Sequence, residues 1–150
     1  MYNNKVYKIS EDIYNAVKDK VIIKELSGDM CDRVLKKTLE MYAYIKMTDG
    51  FLWEGLRDCE TFSDIDGWLY IQKFVLDNSC IMFFNPYQEK KMFNISSGKD
   101  LQYILSETCP YEFYVTDMDY SYLLCFTHHD VLIGCGKAKE WVRNLKMTKG

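Results

Sequence analysis

Hydrophobic and polar residues alternate most clearly near the end of the chain, over residues 111–117 (YEFYVTD). Phe113 and Val115 fall on one side of an extended segment and the intervening residues on the other, which is the period of a half-buried strand. Residues 120–127 (YSYLLCFT) are apolar at both parities, as in a strand that is covered on both faces inside a sheet. Residues 131–136 (VLIGCG) predict a third strand, and the short turns between these segments predict an antiparallel meander.

Two shorter apolar runs precede the meander. Residues 80–85 (CIMFFN) run into Pro86, and the Asn85–Pro86 pair is typical of a turn. Residues 90–95 (KKMFNI) can return antiparallel to the first run, which predicts a hairpin. Together with the meander, this hairpin predicts an antiparallel sheet of about five strands.

Helical spacing dominates the first third of the chain. Ser10 is the predicted N-cap of a helix that opens with Glu11 and Asp12, because acidic side chains favour the positive end of the helix dipole. A second helix is predicted from near Asp29 to the TDG sequence at 48–50, since apolar residues recur there every three or four positions.

Two further helices are predicted around the meander. Ser97 and Asp100 have the spacing of a capping box and predict a helix that ends before residues 109–110 (CP). Residues 137–145 (KAKEWVRNL) predict a closing helix with its apolar side chains directed inward.

The segment between the N-terminal helices and the first strand is harder to assign. Residues 51–58 (FLWEGLRD) predict a short helical turn. Residues 64–77 are ambiguous between helix and strand, because apolar residues occupy both parities. Trp68, Ile71 and Val75 fit one helical face, so we favour a helix there.

These elements predict an α+β domain, with N-terminal helices and a C-terminal helix packed on the antiparallel sheet. A chain of 150 residues suits one domain, residues 1–150, with a helical part (1–50) and a mixed sheet part (51–150). The sequence is 48% hydrophobic and 15% aromatic, which supplies a sizeable core without disulfide bonds.

Charge and cysteine usage exclude several classes of protein. A formal net charge of −3 offers no strong basic field to phosphate backbones, so we expect no nucleic-acid partner. No apolar run approaches the roughly 18 residues of a membrane span, and the first 20 residues lack an apolar targeting segment, so we expect a cytoplasmic protein. The six cysteines include no C-x-x-C pair, and we expect them to be reduced.

Both histidines of the chain, His128 and His129, stand side by side before Asp130. Adjacent side chains of an extended strand point to opposite faces, so the pair could share a metal only in a bent turn. The spacing matches none of the usual zinc patterns. We therefore expect neither a metal nor a cofactor, and we favour an exposed hairpin tip over a metal site.

Two cysteines lie near the histidines in sequence. Cys125 precedes His128 by three residues, and Cys135 lies across the predicted hairpin. A cysteine–histidine pair must lie within hydrogen-bond reach, whereas a regular strand directs Cys125 away from His128. We favour two core thiols over a catalytic pair, and we predict no catalytic residue.

The C-terminal third, residues 109–145, resembles the closing segment of small bacterial proteins of unknown function. In these proteins an EFYVT-like strand leads to a strand that ends in paired histidine and aspartate, then to LIG-G and a helix with tryptophan. Residues 81–107 fit the same layout, and the resemblance covers about residues 50–146. In size and in its helix-then-sheet arrangement, the chain is also similar, more loosely, to bacterial immunity proteins, including the SUKH type. That second resemblance implies a protein that binds a partner toxin and is not an enzyme.

Three functions stay open from the sequence. We favour a non-enzymatic protein-binding module such as an immunity protein, because tyrosine and tryptophan are effective contact residues. The alternatives are a small enzyme or ligand-binding domain centred on the histidine pair and a structural subunit of a homo-oligomer. The candidate binding residues are His128, His129, Asp130, Tyr114 and Trp53.

Overall fold

The computed structural model describes residues 6–44 and 51–149. Within these residues, the α-helices are α1 (Ile9–Val17), α2 (Gly28–Tyr42), α3 (Ile71–Val75), α4 (Gly98–Glu107) and α5 (Lys137–Lys149). Two 3₁₀ helices span Leu52–Gly55 and Gly67–Tyr70. The strands are β1 (Ile23–Glu25), β2 (Cys59–Ser63), β3 (Cys80–Phe83), β4 (Phe93–Ile95), β5 (Phe113–Thr116), β6 (Tyr122–Phe126) and β7 (Val131–Gly136).

The strands form one antiparallel sheet in the order β1-β4-β3-β5-β6-β7-β2. The predicted meander is confirmed, because β5 pairs with β6 and β6 pairs with β7. The predicted hairpin is confirmed as the β3–β4 pair. The α+β class is therefore correct, but the prediction of about five strands is wrong, since the described part of the chain has seven.

The two strands that sequence patterning missed lie at the edges of the sheet. β1 has three residues, and Lys24 and Glu25 are exposed. β2 has five residues, of which only Phe62 is buried. An edge strand pairs on one side only, and such short or polar segments carry too few apolar positions to show a period of two.

Helices cover both faces of the sheet, and this explains the apolar character of β6. Tyr122, Leu124 and Phe126 pack in the core that includes α1, α3, α4 and α5. Leu123 and Cys125 pack in a second core with α2 and the 3₁₀ helix Leu52–Gly55. A strand buried on both sides cannot alternate between apolar and polar residues.

The helix starts agree with the sequence in part. The Ser97 hydroxyl accepts a hydrogen bond from the Asp100 backbone N–H at 3.1 Å, as the predicted cap requires. The predicted cap at Ser10 is wrong, because α1 begins at Ile9 and Ser10 lies inside the helix. The N–H of Ser10 instead donates to Glu89 at 2.8 Å, which ties the start of α1 to the β3–β4 connection.

Three other predictions for the first half have defined outcomes. The ambiguous segment 64–77 is helical over Gly67–Tyr70 and Ile71–Val75, which confirms the helix. α2 ends at Tyr42, and the predicted end of that helix at 48–50 lies outside the described residues. Across residues 6–44 and 51–149, no helix is long and apolar enough to cross a membrane.

Candidate functional site

The paired histidines lie at the turn between β6 and β7. The N–H of Asp130 donates to the Thr127 carbonyl at 3.0 Å, and Asp130 has a φ of 61°. The Thr127 hydroxyl accepts from the N–H groups of His129 at 3.1 Å and Val131 at 3.3 Å. Aspartate tolerates the left-handed conformation better than most residues, and the threonine hydroxyl satisfies turn amides. The predicted hairpin turn is confirmed.

His128 is anchored to Glu112, which directly precedes β5. One carboxylate oxygen of Glu112 accepts from the His128 backbone N–H at 2.8 Å and lies 2.5 Å from the ring Nδ1. The Glu112 side chain is 1% exposed, whereas the His128 side chain is 45% exposed. A buried acid therefore holds an imidazole that solvent can reach.

Two more donors satisfy the Glu112 carboxylate. Trp53 Nε1–H donates to it at 2.9 Å, and Asn85 Nδ2–H donates at 2.8 Å. A buried carboxylate is tolerated only with such partners, because removal from water is costly. The donors come from the 3₁₀ helix Leu52–Gly55, the segment that follows β3 and the hairpin tip, so Glu112 connects three parts of the fold.

A second layer of hydrogen bonds fixes these donors. Asn85 Oδ1 accepts from the Tyr114 hydroxyl at 2.7 Å and from the Leu52 N–H at 2.9 Å. The Tyr114 hydroxyl in turn accepts from the Trp53 N–H at 3.0 Å. Burial raises the pKa of Tyr114 well above its ordinary value, which keeps the phenol protonated as a donor.

Rings surround His128 at the protein surface. The Phe51 ring lies 4.9 Å from the His128 ring, 5.9 Å from Trp53 and 5.8 Å from Tyr87, measured between centroids. The His129 ring lies 3.9 Å from His128 and 6.0 Å from Trp53. We call these five residues the aromatic surface. Its members come from segments far apart in sequence, and the hydrogen bonds to Glu112 fix two of them directly.

Two hollows border His128. One has a volume of about 370 Å³ and a mostly apolar lining that includes Trp68, Phe113 and Phe126. The other has a volume of about 540 Å³ and is lined in part by Tyr87 and by Glu112. His128 is thus a lining residue of both hollows.

The structure brings most of the predicted site residues together but in different roles. His128, His129 and Trp53 form part of the aromatic surface. Tyr114 lies beneath it, fully buried, and Asp130 is exposed at the end of the turn and borders the 370 Å³ hollow.

Sequence patterning did not identify Glu112, Asn85, Phe51 or Tyr87 as site residues. The sequence predicts a turn at Asn85 and the polar side of a strand for Glu112, whereas both side chains are buried in the structure. The one available signal was a charged residue inside an apolar stretch, since Glu112 stands among aromatic residues in CPYEFYV.

The cysteines near the hairpin are core residues. Cys125 is fully buried, and burial raises its pKa far above the ordinary value of a thiol. Its cross-strand neighbour is Tyr114. Among residues 6–44 and 51–149, no group of three or more histidine, cysteine, aspartate or glutamate side chains could hold a metal ion.

Comparison with known proteins places the chain in a family without an assigned activity. A family model described as "Family of unknown function (DUF6756)" matches residues 4–146. No curated protein and no solved structure gives a significant match. The resemblance to a small family of unknown function is confirmed, and the match extends beyond residues 50–146 into the N-terminal helices.

Proposed function

The chain belongs to DUF6756, a family of unknown function, and we propose that it is a non-enzymatic protein-binding module that contacts its partner through the aromatic surface. The observation that carries the proposal is the ordering of exposed rings by a buried acid. Glu112 holds the His128 ring through Nδ1 and the Trp53 ring through Nε1–H, so these side chains lose little further freedom when a partner binds.

The composition of the aromatic surface supports a protein partner. Tyrosine and tryptophan contribute most strongly to protein–protein contacts, because each presents a large rigid area with a polar edge. Tyr87 is 56% exposed, and Phe51 contacts both Tyr87 and His128. A ring cluster of this kind suits apolar side chains of a partner and cations placed over the ring faces.

Exposed carboxylates next to Trp53 and His129 suit basic side chains of a partner. Glu54, beside Trp53, is exposed, and so is Asp130 at the hairpin tip. The formal net charge of −3 acts in the same direction, since it steers cationic partners towards the protein. The loose similarity to bacterial immunity proteins suggests a protein toxin as the partner, although a shared arrangement does not by itself assign a function.

The test compares truncations on and off the aromatic surface. The wild-type protein is used to capture partners from its own host and is co-expressed with toxins encoded beside its gene. Phe51→Ala and Tyr87→Ala each remove a ring that makes no hydrogen bond to Glu112, and we expect each to weaken binding about tenfold or more in calorimetric titration. Met147→Ala is the control, because Met147 is 77% exposed near the end of α5.

Two outcomes would contradict the proposal. If Phe51→Ala and Tyr87→Ala bind the captured partner as tightly as Met147→Ala, the aromatic surface is not the contact. If the host yields no specific partner and no co-expressed toxin is neutralised, the protein is not a binding module of this class.

One observation favours a second candidate, a small ligand-binding or catalytic site at His128. A carboxylate that holds Nδ1 of an imidazole leaves Nε2 as a proton acceptor, an arrangement used in general base catalysis. The two hollows beside His128 have room for a small molecule. This candidate predicts that a small molecule raises the melting temperature of the wild type but not of His128→Ala, and the toxin-binding proposal predicts no such ligand.

A further inference from the structure

Cys59 and Cys135 stand directly opposite each other on β2 and β7. The N–H of Asp64 donates to the Asp130 carbonyl at 3.0 Å, which makes that pair a hydrogen-bonded one. Hydrogen-bonded and non-hydrogen-bonded pairs alternate along an antiparallel ladder. The Cys59–Cys135 pair lies five positions from the Asp64–Asp130 pair, an odd number, so it is a non-hydrogen-bonded pair.

The neighbouring ladder supports the same assignment. The N–H of Thr127 donates to the Val131 carbonyl at 3.0 Å, so the hydrogen-bonded positions of β7 facing β6 are Val131 and every second residue after it. Cys135 is one of them and directs its backbone groups to β6, away from β2. In a non-hydrogen-bonded pair the Cα atoms are about 4.5 Å apart, which lies within the range that a disulfide can bridge.

The two thiols differ in exposure and in acidity. Cys135 is fully buried, whereas Cys59 is half-buried on an edge strand. A hydrogen bond from Cys135 lowers the pKa of Cys59 to about 7, against burial and the Asp58 carboxylate, which both raise it, and the Lys139 ammonium group has a smaller lowering effect. The same hydrogen bond, together with burial, raises the pKa of Cys135. The hydrogen bond thus favours the thiolate, which is the reactive form, on the more accessible of the two sulfur atoms.

We propose that Cys59 and Cys135 are a redox pair that hydrogen peroxide oxidises reversibly to a cross-strand disulfide. The Cys59 thiolate attacks one oxygen of the peroxide; an S–O bond forms, the O–O bond breaks, and the departing hydroxide takes up a proton to become water. The Cys135 sulfur then attacks the Cys59 sulfenic acid; the S–S bond forms, the S–O bond breaks, and hydroxide leaves with the Cys135 proton as a second water. Two thiols are oxidised and one peroxide is reduced.

The disulfide would fasten an edge strand to the sheet beside the start of α5. Lys139 of α5 forms an ion pair with Asp58, the residue before β2, and Arg143 lies 3.4 Å from Glu60 of the same strand. The oxidation site therefore sits where β2, β7 and α5 meet, and a dithiol reductant would restore the two thiols.

Cleavage before aspartate residues gives a direct assay. It releases residues 58–63, which contain Cys59 alone, and residues 130–150, which contain Cys135 alone. The folded, reduced wild-type protein is treated with one equivalent of hydrogen peroxide, free thiols are alkylated, and the digest is analysed without reduction by mass spectrometry. We expect the two fragments as one disulfide-linked species, which a dithiol reductant separates.

The controls use the two other accessible thiols, Cys31 and Cys109, and substitutions of Cys59 and of Cys135, the residue that closes the disulfide. Cys31 is half-buried and Cys109 is exposed, and we expect both to oxidise at least tenfold more slowly than Cys59. Cys31→Ser should leave the linked species unchanged, and Cys59→Ser should abolish it. Cys135→Ser should instead accumulate a sulfenic acid at Cys59 that a cyclic diketone traps.

The wild-type digest decides the outcome even if Cys135→Ser fails to fold. The absence of the linked species at peroxide levels that oxidise Cys109 would overturn the proposal. Equal oxidation rates at Cys59, Cys31 and Cys109 would overturn it as well, and so would disulfides that form only between molecules.

Discussion

His128 meets the same carboxylate oxygen of Glu112 twice, through its backbone N–H at 2.8 Å and its ring Nδ1 at 2.5 Å. The two bonds fix both the position of the turn and the orientation of the ring. A carboxylate accepts hydrogen bonds and donates none, so a neutral His128 ring carries its proton on Nδ1 and presents Nε2 as an acceptor. The chemical character of the exposed edge is thus set by a residue 16 positions earlier in the chain.

The tautomer of His128 is directly measurable. We expect the Nδ1–H form to predominate at a pH where the ring is neutral, because the Glu112 carboxylate accepts a hydrogen bond from Nδ1–H. Nitrogen-15 chemical shifts of the ring distinguish the two tautomers, and His129 is the internal comparison, since the structure shows no bond from its ring to Glu112 among the described residues. A predominant Nε2–H form at His128 would contradict the arrangement.

Glu112→Gln should destabilise the fold. The carboxylate accepts hydrogen bonds from Trp53, Asn85 and His128, whereas an amide has one acceptor oxygen and turns its NH₂ towards a donor. We expect a loss of about 2–4 kcal/mol in the free energy of unfolding, because buried donors are left unsatisfied. Urea denaturation followed by tryptophan fluorescence measures the loss.

The control for that substitution is Glu107→Gln at the end of α4. Glu107 is exposed, so the same chemical change should alter the free energy of unfolding by less than about 0.5 kcal/mol. Equal effects of the two substitutions would show that the hydrogen bonds to Glu112 do not stabilise the protein.

The sequence predicts the sheet best where both faces of a strand are covered by the fold. β6 and β7 carry apolar segments that are covered on both sides, and these segments predict the two strands. Alternation predicts β5, although all four of its residues are buried. β1 was missed, because Lys24 and Glu25 are exposed at the sheet edge. Edge strands are held by pairing along one side, and the hydrogen bonds that pair them leave no trace in the sequence.

The candidate site, like the sheet, was predictable from the sequence only in part. The histidine pair was recognisable because it is the only one in the chain, and the turn that holds it was predicted from the flanking strands. The acid that anchors His128 was not predicted. Its bond to Asn85 joins residues 27 positions apart, and it forms because β3 and β5 are neighbours in the sheet. That order is a tertiary property, and no local period encodes it.

Glu89 should give the protein a pH-dependent contribution to stability. Burial raises the pKa of Glu89, but hydrogen bonds from the N–H groups of Ser10 at 2.8 Å and Lys91 at 3.1 Å outweigh it and hold the pKa below the ordinary value of 4.5. Because the folded pKa lies below the unfolded one, the stabilisation is present above about pH 4.5 and is lost as pH falls through the lower value.

The expected result is a difference between wild type and Glu89→Gln that depends on pH. At pH 7 the free energy of unfolding of the variant should be about 1 kcal/mol lower than that of the wild type. The expected difference is small because Glu89 is only half-buried. Near pH 3 the difference should shrink, since protonation of the wild-type carboxyl removes the same charge. Urea titrations at both pH values measure it, and a difference that stays constant or grows on acidification would contradict the assignment.

Gly134→Ala should disturb the packing of α5 on the sheet. A Cβ at Gly134 would lie 2.5 Å from Val142 Cγ2 and 2.7 Å from the Ala138 carbonyl oxygen, and the second contact is with helix backbone that cannot rotate away. We expect a loss of about 2–3 kcal/mol in the free energy of unfolding, as for an overpacked core. Gly28→Ala is the matched control, because a Cβ there meets no atom within 4 Å and alanine favours the first turn of α2. If thermal and urea unfolding show the same stability for Gly134→Ala and Gly28→Ala, then α5 does not pack as closely against Gly134 of β7 as the structure shows.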